Sequence, residues 1–317
     1  MNFIDQFKFK LFDINAENFE KCSLELFEFQ YTQNKVYRQY CDAIKRTPKH
    51  ISSLYEIPFL PIEFFKHFPI TSSKRPTQKI FKSSGTTSTG RSEHHVKDVE
   101  FYLEVCKRIF EDSFGALEEF QVLGLLPSYL EQGDSSLICM VDHFIKESRS
   151  QSGYFLNQEI ASNLRNSEKK VLFGVSYALL DLPETQSQNL VCIETGGMKG
   201  RKKEIIKAEL HQHIKNNLHM DTVWSEYGMT ELMSQAYGKD GILKFPSWAK
   251  VLIREINDPF SYLETNKAGG INIIDLANIE SCSFISTKDI GIMQKEEYFE
   301  ILGRFDNSDT RGCSLLI

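Results

Sequence analysis

The chain has 317 residues, 41% of them hydrophobic and 25% charged, a balance that excludes disorder over most of the length. Such a chain can bury a sizeable core without disulfides or a structural metal, as about two domains or one large α/β unit. With 43 acidic and 37 basic side chains the net charge is −6, which argues against binding nucleic acid through a broad basic surface and leaves room for a local anion pocket.

No apolar run approaches the ~18 residues that would cross a bilayer. The N-terminal stretch, interrupted by Asp5, Lys8 and Lys10, has no signal-peptide core. The seven cysteines are scattered and form no C-x-x-C pair. Reduced thiols in a cytoplasmic protein are therefore the expectation.

In chain order, residues 1–50 read as helical, with Phe12, Phe19, Leu26, Phe29 and Tyr37 among polar positions. Thr47-Pro48 ends this region, because the residue before proline avoids the helical conformation. Ile57 to Pro61 is extended and apolar, and a polar turn follows at Thr71 to Pro76. Lys79 to Lys82 is a short strand and Asp98 to Phe114 a helix. Phe120 to Leu126, Lys170 to Val175 and Leu190 to Ile193 read as buried strands, with a helical Ser176 to Leu180 after the second. Arg201 to Asn217 is a helix and Thr222 to Trp224 a short strand. Strands alternating with helices predict a largely parallel sheet covered on both faces. In the last third, Ile242 to Ile256, Gly270 to Leu276 and Tyr298 to Leu302 predict a small antiparallel, β-rich part. No linker stands out, so residues 1–317 are expected to form one unit.

Three loops carry chemistry. Between Ser83 and Ser92 every residue except Arg91 is Ser, Thr or Gly, a density of hydroxyls and exposed N–H groups that suits phosphate oxygens. The stretch nearly matches a P-loop, with Arg91 at the lysine position, but a planar guanidinium does not replace that point charge. The second loop is Ser225-Glu226-Tyr227-Gly228-Met229-Thr230-Glu231. A carboxylate beside a phosphate pocket calls for Mg²⁺ between them. The third comprises Gly303-Arg304-Phe305-Asp306 and Arg311-Gly312-Cys313. Gly174-Val175-Ser176-Tyr177-Ala178 is a near-match to a nucleophile elbow without its second glycine. His94, His95 and His143 fit no metal-binding spacing.

Taken in this order, the three loops resemble the adenylate-forming superfamily of acyl-CoA synthetases and luciferase-like ligases. Within it the chain is similar to the LuxE acyl-protein synthetase family, the fatty-acid-activating subunit of bacterial luminescence fatty acid reductases. The residues that carry this are Ser83-Ser84-Gly85-Thr86-Thr87, Glu226-Tyr227-Gly228-Met229-Thr230-Glu231, and Ile301-Leu302-Gly303-Arg304 with Arg311-Gly312-Cys313. The resemblance implies the large N-terminal unit of an adenylate-forming enzyme. It also implies that the usual C-terminal lid domain is missing, since thirteen residues follow Arg304.

The implied reaction has two steps. A carboxylic acid, expected to be fatty, attacks the α-phosphate of ATP to give acyl-adenylate and pyrophosphate. A thiol then takes the acyl group as a thioester. Coenzyme A or a carrier protein as acceptor, or a catalytically weak nucleotide-binding subunit of a reductase or acyltransferase complex, are the alternatives.

By the same resemblance Ser83, Ser84, Gly85, Thr86 and Thr87 would wrap the phosphates of ATP. Thr195, Gly196 and Gly197 would flank adenine, with Tyr227 and Gly228 against it. Thr230 would bind the α-phosphate, and Glu231 would hold Mg²⁺. Asp289 would take the ribose hydroxyls and Arg304 would support the ribose and phosphate end. Cys313 is the position acylated in the family. Arg311 favours its thiolate. The tail 305–317 is expected to be flexible, and from Asp306 to Cys313 it reaches about 23 Å at ~3.3 Å per residue. The implied partners are the acid itself and an acyl-CoA-reductase-like or other acyl-acceptor protein.

Overall fold

The structure, a computed structural model, describes residues 2–84, 90–127, 133–196, 205–295 and 297–305. Its N-terminal part is helical: α1 (Phe3–Lys10), α2 (Phe19–Gln33) and α3 (Lys35–Ala43). The Asn2 and Asn34 side chains cap α1 and α3 by accepting from Asp5 N and Tyr37 N, satisfying donors a helix start leaves open. After β1 (Leu60–Pro61) and the single turn α4 (Phe64–His67), the antiparallel pair β2 (Lys79–Lys82) and β3 (Glu93–Val96) stands apart from the main sheet.

The α/β part follows. It comprises α5 (Val99–Phe114), β4 (Gln121–Leu125), α6 (Ser136–Glu147), β5 (Gly153–Tyr154), α7 (Asn157–Arg165), β6 (Lys170–Val175), α8 (Ser176–Leu179), β7 (Leu190–Thr195), α9 (Lys207–Leu218) and β8 (Trp224–Tyr227). Strands β4, β6, β7 and β8 are parallel neighbours, with Val175 level with Thr195 and Glu194 level with Ser225. β4 and β6 are buried at every position, as expected where helices cover both faces. Helix α9 begins at Lys207, later than the spacing from Arg201 predicts. Residues 205 and 206 are not helical, and 201–204 lie outside the described residues.

The remaining strands are β9 (Ala236–Lys239), β10 (Ile242–Lys244), β11 (Ala249–Arg254), β12 (Ala268–Asp275), β13 (Phe284–Lys295) and β14 (Tyr298–Arg304). They run antiparallel and continue the parallel strands through the β8–β9 pair, in the order β11-β12-β13-β14-β10-β9-β8-β7-β6-β4-β5, with β1 beside β13. The stretch from Ile242 to Ile256 divides into two strands, because Pro246 lies between them and cannot donate to a ladder. β13 has no counterpart in the sequence reading. Its polar Ser286, Thr287, Lys288 and Asp289 hide the strand pattern, and its register with β14 shifts twice.

The buried apolar side chains form one contiguous cluster that takes in the N-terminal helices and both parts of the sheet. Phe284 on β13 is its hinge to the helices. Its ring lies 6.2 Å from those of Phe27, Tyr37 and Phe59. Nearby, Gln30 Nε2 donates to the carbonyls of Asn278 and Ile279, 3.0 Å each, and Ser283 N donates to Gln30 Oε1 at 2.9 Å. Phe284→Ala is expected to cost about 3–5 kcal/mol, read as a lower urea midpoint.

Candidate active site

The C-terminal ends of β6, β7 and β8 share one edge, the place where open α/β sheets present ligands. Tyr227, the last residue of β8, donates from Oη to Asp289 Oδ2 at 2.7 Å. Burial and the adjacent Asp289 charge push the Tyr227 hydroxyl well above its ordinary value, so it stays a donor. The Tyr227 ring meets Phe245 and Phe299 edge-on at 6.2 and 6.0 Å, and those two rings stack on each other at 5.6 Å. A cavity of about 250 Å³ is lined by Phe245, Phe299, Phe19 and Met293 but not by Tyr227, and so lies behind this ring pair.

Arg304 on β14 is paired in register with Asp289, and its Nε lies 3.7 Å from Asp289 Oδ1. The Arg304 side chain is 64% exposed and that of Asp289 14%. The guanidinium therefore faces solvent, while Asp289 sits beneath it.

Thr230 and Glu231 form the turn after β8. Glu231 is buried, and burial raises its carboxyl above the ordinary value; the Ser92 hydroxyl and Arg304 pull it down, and Asp289 pushes it up. No cation lies within ion-pair distance of it among the described residues. The following residues are tied to Asp275, the end of β12. Asp275 accepts from Met233 N and Ser234 N at 2.9 Å each and from Ser234 Oγ at 2.8 Å.

The Ser/Thr/Gly loop joins β2 to β3, two antiparallel strands. A P-loop joins a strand to a helix, so the P-loop likeness is sequence chance. Arg91 is committed elsewhere: its Nη1 and Nη2 each lie 3.1 Å from an Asp134 carboxylate oxygen, and it also donates to the carbonyls of Lys82 and Ser83. Ser83 closes the loop base, its N donating to Ser92 O at 3.1 Å and its Oγ accepting from Ser92 N at 3.0 Å. Ser84 follows it. Gly85, Thr86 and Thr87 lie outside the described residues, as do Gly197 and Cys313.

Thr195 ends β7 with its hydroxyl donating to Glu226 Oε2. Gly196 follows with φ +69°, a conformation glycine adopts without strain. Beneath them Glu194 is buried among Ser176 Oγ at 2.6 Å, Lys207 Nζ at 3.3 Å and His211 Nε2 at 3.7 Å. Burial opposes its charge, but His211, Lys207 and Ser176 outweigh that and lower its pKa. Ser176 thus supports a carboxylate, and among the described residues no histidine contacts its hydroxyl, which argues against a nucleophile site at the elbow-like sequence. A Cβ at Gly228 would meet Glu226 Oε1, so the Glu226 carboxyl would have to shift to admit it.

The sequence model of the family described as acyl-protein synthetase, LuxE, matches residues 139–317, more than half of the chain. The chain belongs to the LuxE acyl-protein synthetase family. No curated protein matches in sequence. Among solved structures, ATP-bound MatB from Rhodopseudomonas palustris superposes with a TM-score of 0.53 and 20% identity over 71% of this chain and 47% of MatB. An open conformation of 2-hydroxyisobutyryl-CoA ligase, in complex with 2-HIB-AMP and CoA, gives 0.68 and 12% over 92% and 71%. The anthranilate-CoA ligase AuaEII gives 0.50 and 14% over 71% and 46%. These likenesses concern the fold, and the chain spans about half the length of MatB. The mixed sheet is that of the N-terminal unit of adenylate-forming ligases.

The structure brings Tyr227, Asp289, Arg304, Thr230 and Glu231 together with Ser92. Glu194, Glu226, Asp275, His94 and Asn278 were not singled out from sequence. Glu226 had a signal in its place beside Tyr227. The others act through contacts across 40 residues or more, or carry no motif.

Burial raises the Glu226 carboxyl to about 7, with Glu194 adding to the shift and Thr195 and Lys207 opposing it. The folded chain thus keeps a proton that the unfolded chain, at the ordinary 4.5, has lost. That contribution to stability is present below 4.5 and disappears as pH rises through about 7. Glu226→Gln is expected to remove this fall, so its urea midpoint should gain on wild type between pH 5 and pH 8. Gly228→Ala should displace the Glu226 carboxyl and lower activity by about tenfold or more, measured at saturating substrates.

Proposed function

We propose that the protein activates a carboxylic acid with ATP, releasing pyrophosphate and forming an acyl-adenylate, and then passes the acyl group to Cys313. The observation that carries the reading is the joining of Tyr227, Asp289 and Arg304 beside the Thr230–Glu231 turn, at the ligand-bearing edge of the sheet, in a chain of the LuxE family. The ATP and acyl-adenylate complexes of MatB and of 2-hydroxyisobutyryl-CoA ligase support it by fold.

In this reading the Tyr227 ring lies against adenine, beside Gly196 and Gly228, while Thr195 holds Glu226 underneath. The Tyr227 hydroxyl orients Asp289 for the ribose hydroxyls. Arg304 neutralises charge at the ribose and phosphate end, and Thr230 donates to the α-phosphate. Ser83, Ser84, Gly85, Thr86 and Thr87 take the outer phosphates.

Mg²⁺ fits the donor set. Glu231 is a desolvated carboxylate with no cation in ion-pair distance among the described residues, and no cluster of three or more His, Cys, Asp or Glu among them could bind a metal by itself. An ion held by one carboxylate together with substrate phosphates is the usual arrangement for Mg²⁺. When bound it would neutralise charge gathering on the phosphates.

The acid's carboxylate oxygen forms a bond to the α-phosphorus as the bond to pyrophosphate breaks. The Cys313 thiolate then attacks the acyl carbon, and AMP leaves with the electron pair of the broken bond. A fatty acid is the substrate class that the family supports. Residues 1–317 act as one unit, with 305–317 carrying the thiol.

Incubation with Mg²⁺, ATP and labelled acids of graded chain length should yield AMP and a hydroxylamine-sensitive label on the protein. Cys313→Ser should keep acid-dependent pyrophosphate release, lose the label and release little AMP. Glu231→Gln should lower AMP formation by about 10²-fold. AMP formation with no acid, or a label that survives Cys313→Ser, would overturn the corresponding step.

A further inference from the structure

His94 follows the Ser/Thr/Gly loop on β3, where side chains alternate between faces. Glu93 and His95 point outward; His94 is 1% exposed. Its Nδ1 lies 2.9 Å from the Thr230 carbonyl oxygen and its Nε2 3.1 Å from Asn278 Oδ1. The Asn278 Nδ2 donates at 2.8 Å to the carbonyl of Glu231. One ring and one amide therefore hold the carbonyls of the two consecutive residues on which the proposed chemistry rests.

The clamp is rigid from behind. Phe65 packs edge-on against the imidazole at 6.2 Å. The Asn278 backbone is fixed by its N donating to Asp275 O at 3.0 Å and by its carbonyl accepting from Gln30.

Both ring nitrogens face oxygen acceptors, which favours the doubly protonated ring, while burial pulls its pKa down to about 4. The proton on Nδ1 is common to the singly protonated form that donates to Thr230 and to the cation, so the bond to Thr230 persists in either.

We infer that His94 is a positioning residue: it and Asn278 fix the peptide planes of Thr230 and Glu231, and thereby the directions of the Thr230 hydroxyl and the Glu231 carboxylate. Because His94 lies on the strand leaving the Ser/Thr/Gly loop, it also locks the two phosphate-side segments to each other. This rests on the function proposed above. It adds a residue that touches neither nucleotide nor acid and that sets the Mg²⁺ and ATP requirement.

The test compares His94→Leu, which keeps bulk and removes the donor, with His94→Asn, whose amide can replace the Nδ1 donor. Acid-dependent AMP formation is measured against MgATP and against free Mg²⁺, with thermal melting alongside. His94→Leu should lower kcat/KM for MgATP by about tenfold or more, the size of one lost buried hydrogen bond, and raise the half-saturating Mg²⁺. It should leave KM for the acid unchanged. His94→Asn should restore most of the loss. If His94→Leu does not fold, Asn278→Ser, which frees the Glu231 carbonyl and leaves the His94 bond to Thr230 in place, should raise the half-saturating Mg²⁺ in the same way. An active wild type with unchanged Mg²⁺ and MgATP requirements in these variants overturns the inference. So do losses in both His94 variants that simply follow a fall in melting temperature. A wild type that forms no AMP with any acid overturns the function reading instead, and this inference with it.

Discussion

The hydrogen bond from Tyr227 to Asp289 joins two parts of the sheet that have opposite strand logic. Tyr227 ends the last parallel strand, β8, and Asp289 lies in the antiparallel β13, 62 residues away. Only because the chain reverses at β9 and returns through β14 can Asp289 and Arg304 arrive beside β8. The contact needs a protonated phenol, and burial secures that. The stacked Phe245 and Phe299 rings fix where the phenol points. The arrangement at the site edge thus depends on the core behind it.

Around that contact, buried acids are held in different charge states by different neighbours. Glu194 stays ionised because Lys207 and His211 offset its burial. Glu226, next to it, has only the Thr195 hydroxyl in direct contact among the described residues, and its carboxyl is raised. Asp275 accepts several hydrogen bonds and acts as an anchor for the turn after Glu231. Glu231 is helped by the Ser92 hydroxyl and by Arg304 at a distance, but no cation lies within ion-pair distance of it among the described residues, and a buried carboxylate in that state invites one.

Much of the fold was legible in the sequence because β4, β6 and β7 are continuous apolar runs and α5 has a helical apolar face with Asp98 as its cap. β13 was not legible, since its polar residues serve the site and its bulges break the alternation. The short helices α6 and α7 were missed for want of a long repeat. At the site, Tyr227, Thr230, Glu231 and Arg304 stood out as a motif. His94 did not, because a buried histidine paired to backbone has no spacing signature. Arg91 stands at the lysine position of a P-loop-like stretch, but its planar guanidinium does not suit that role, and in agreement with this it is paired to Asp134.

The central claim is that Tyr227, Asp289, Arg304, Thr230 and Glu231 together form an acyl-adenylate site. Titration calorimetry with a non-hydrolysable acyl-sulfamoyl adenosine tests it most directly, since an analogue of the intermediate binds far more tightly than a substrate, by about 10²-fold or more. Wild type should bind it 1:1, tighter than ATP by that margin, and Asp289→Ala should lose most of the binding. Binding no tighter than ATP, or equally tight in Asp289→Ala, would contradict the claim.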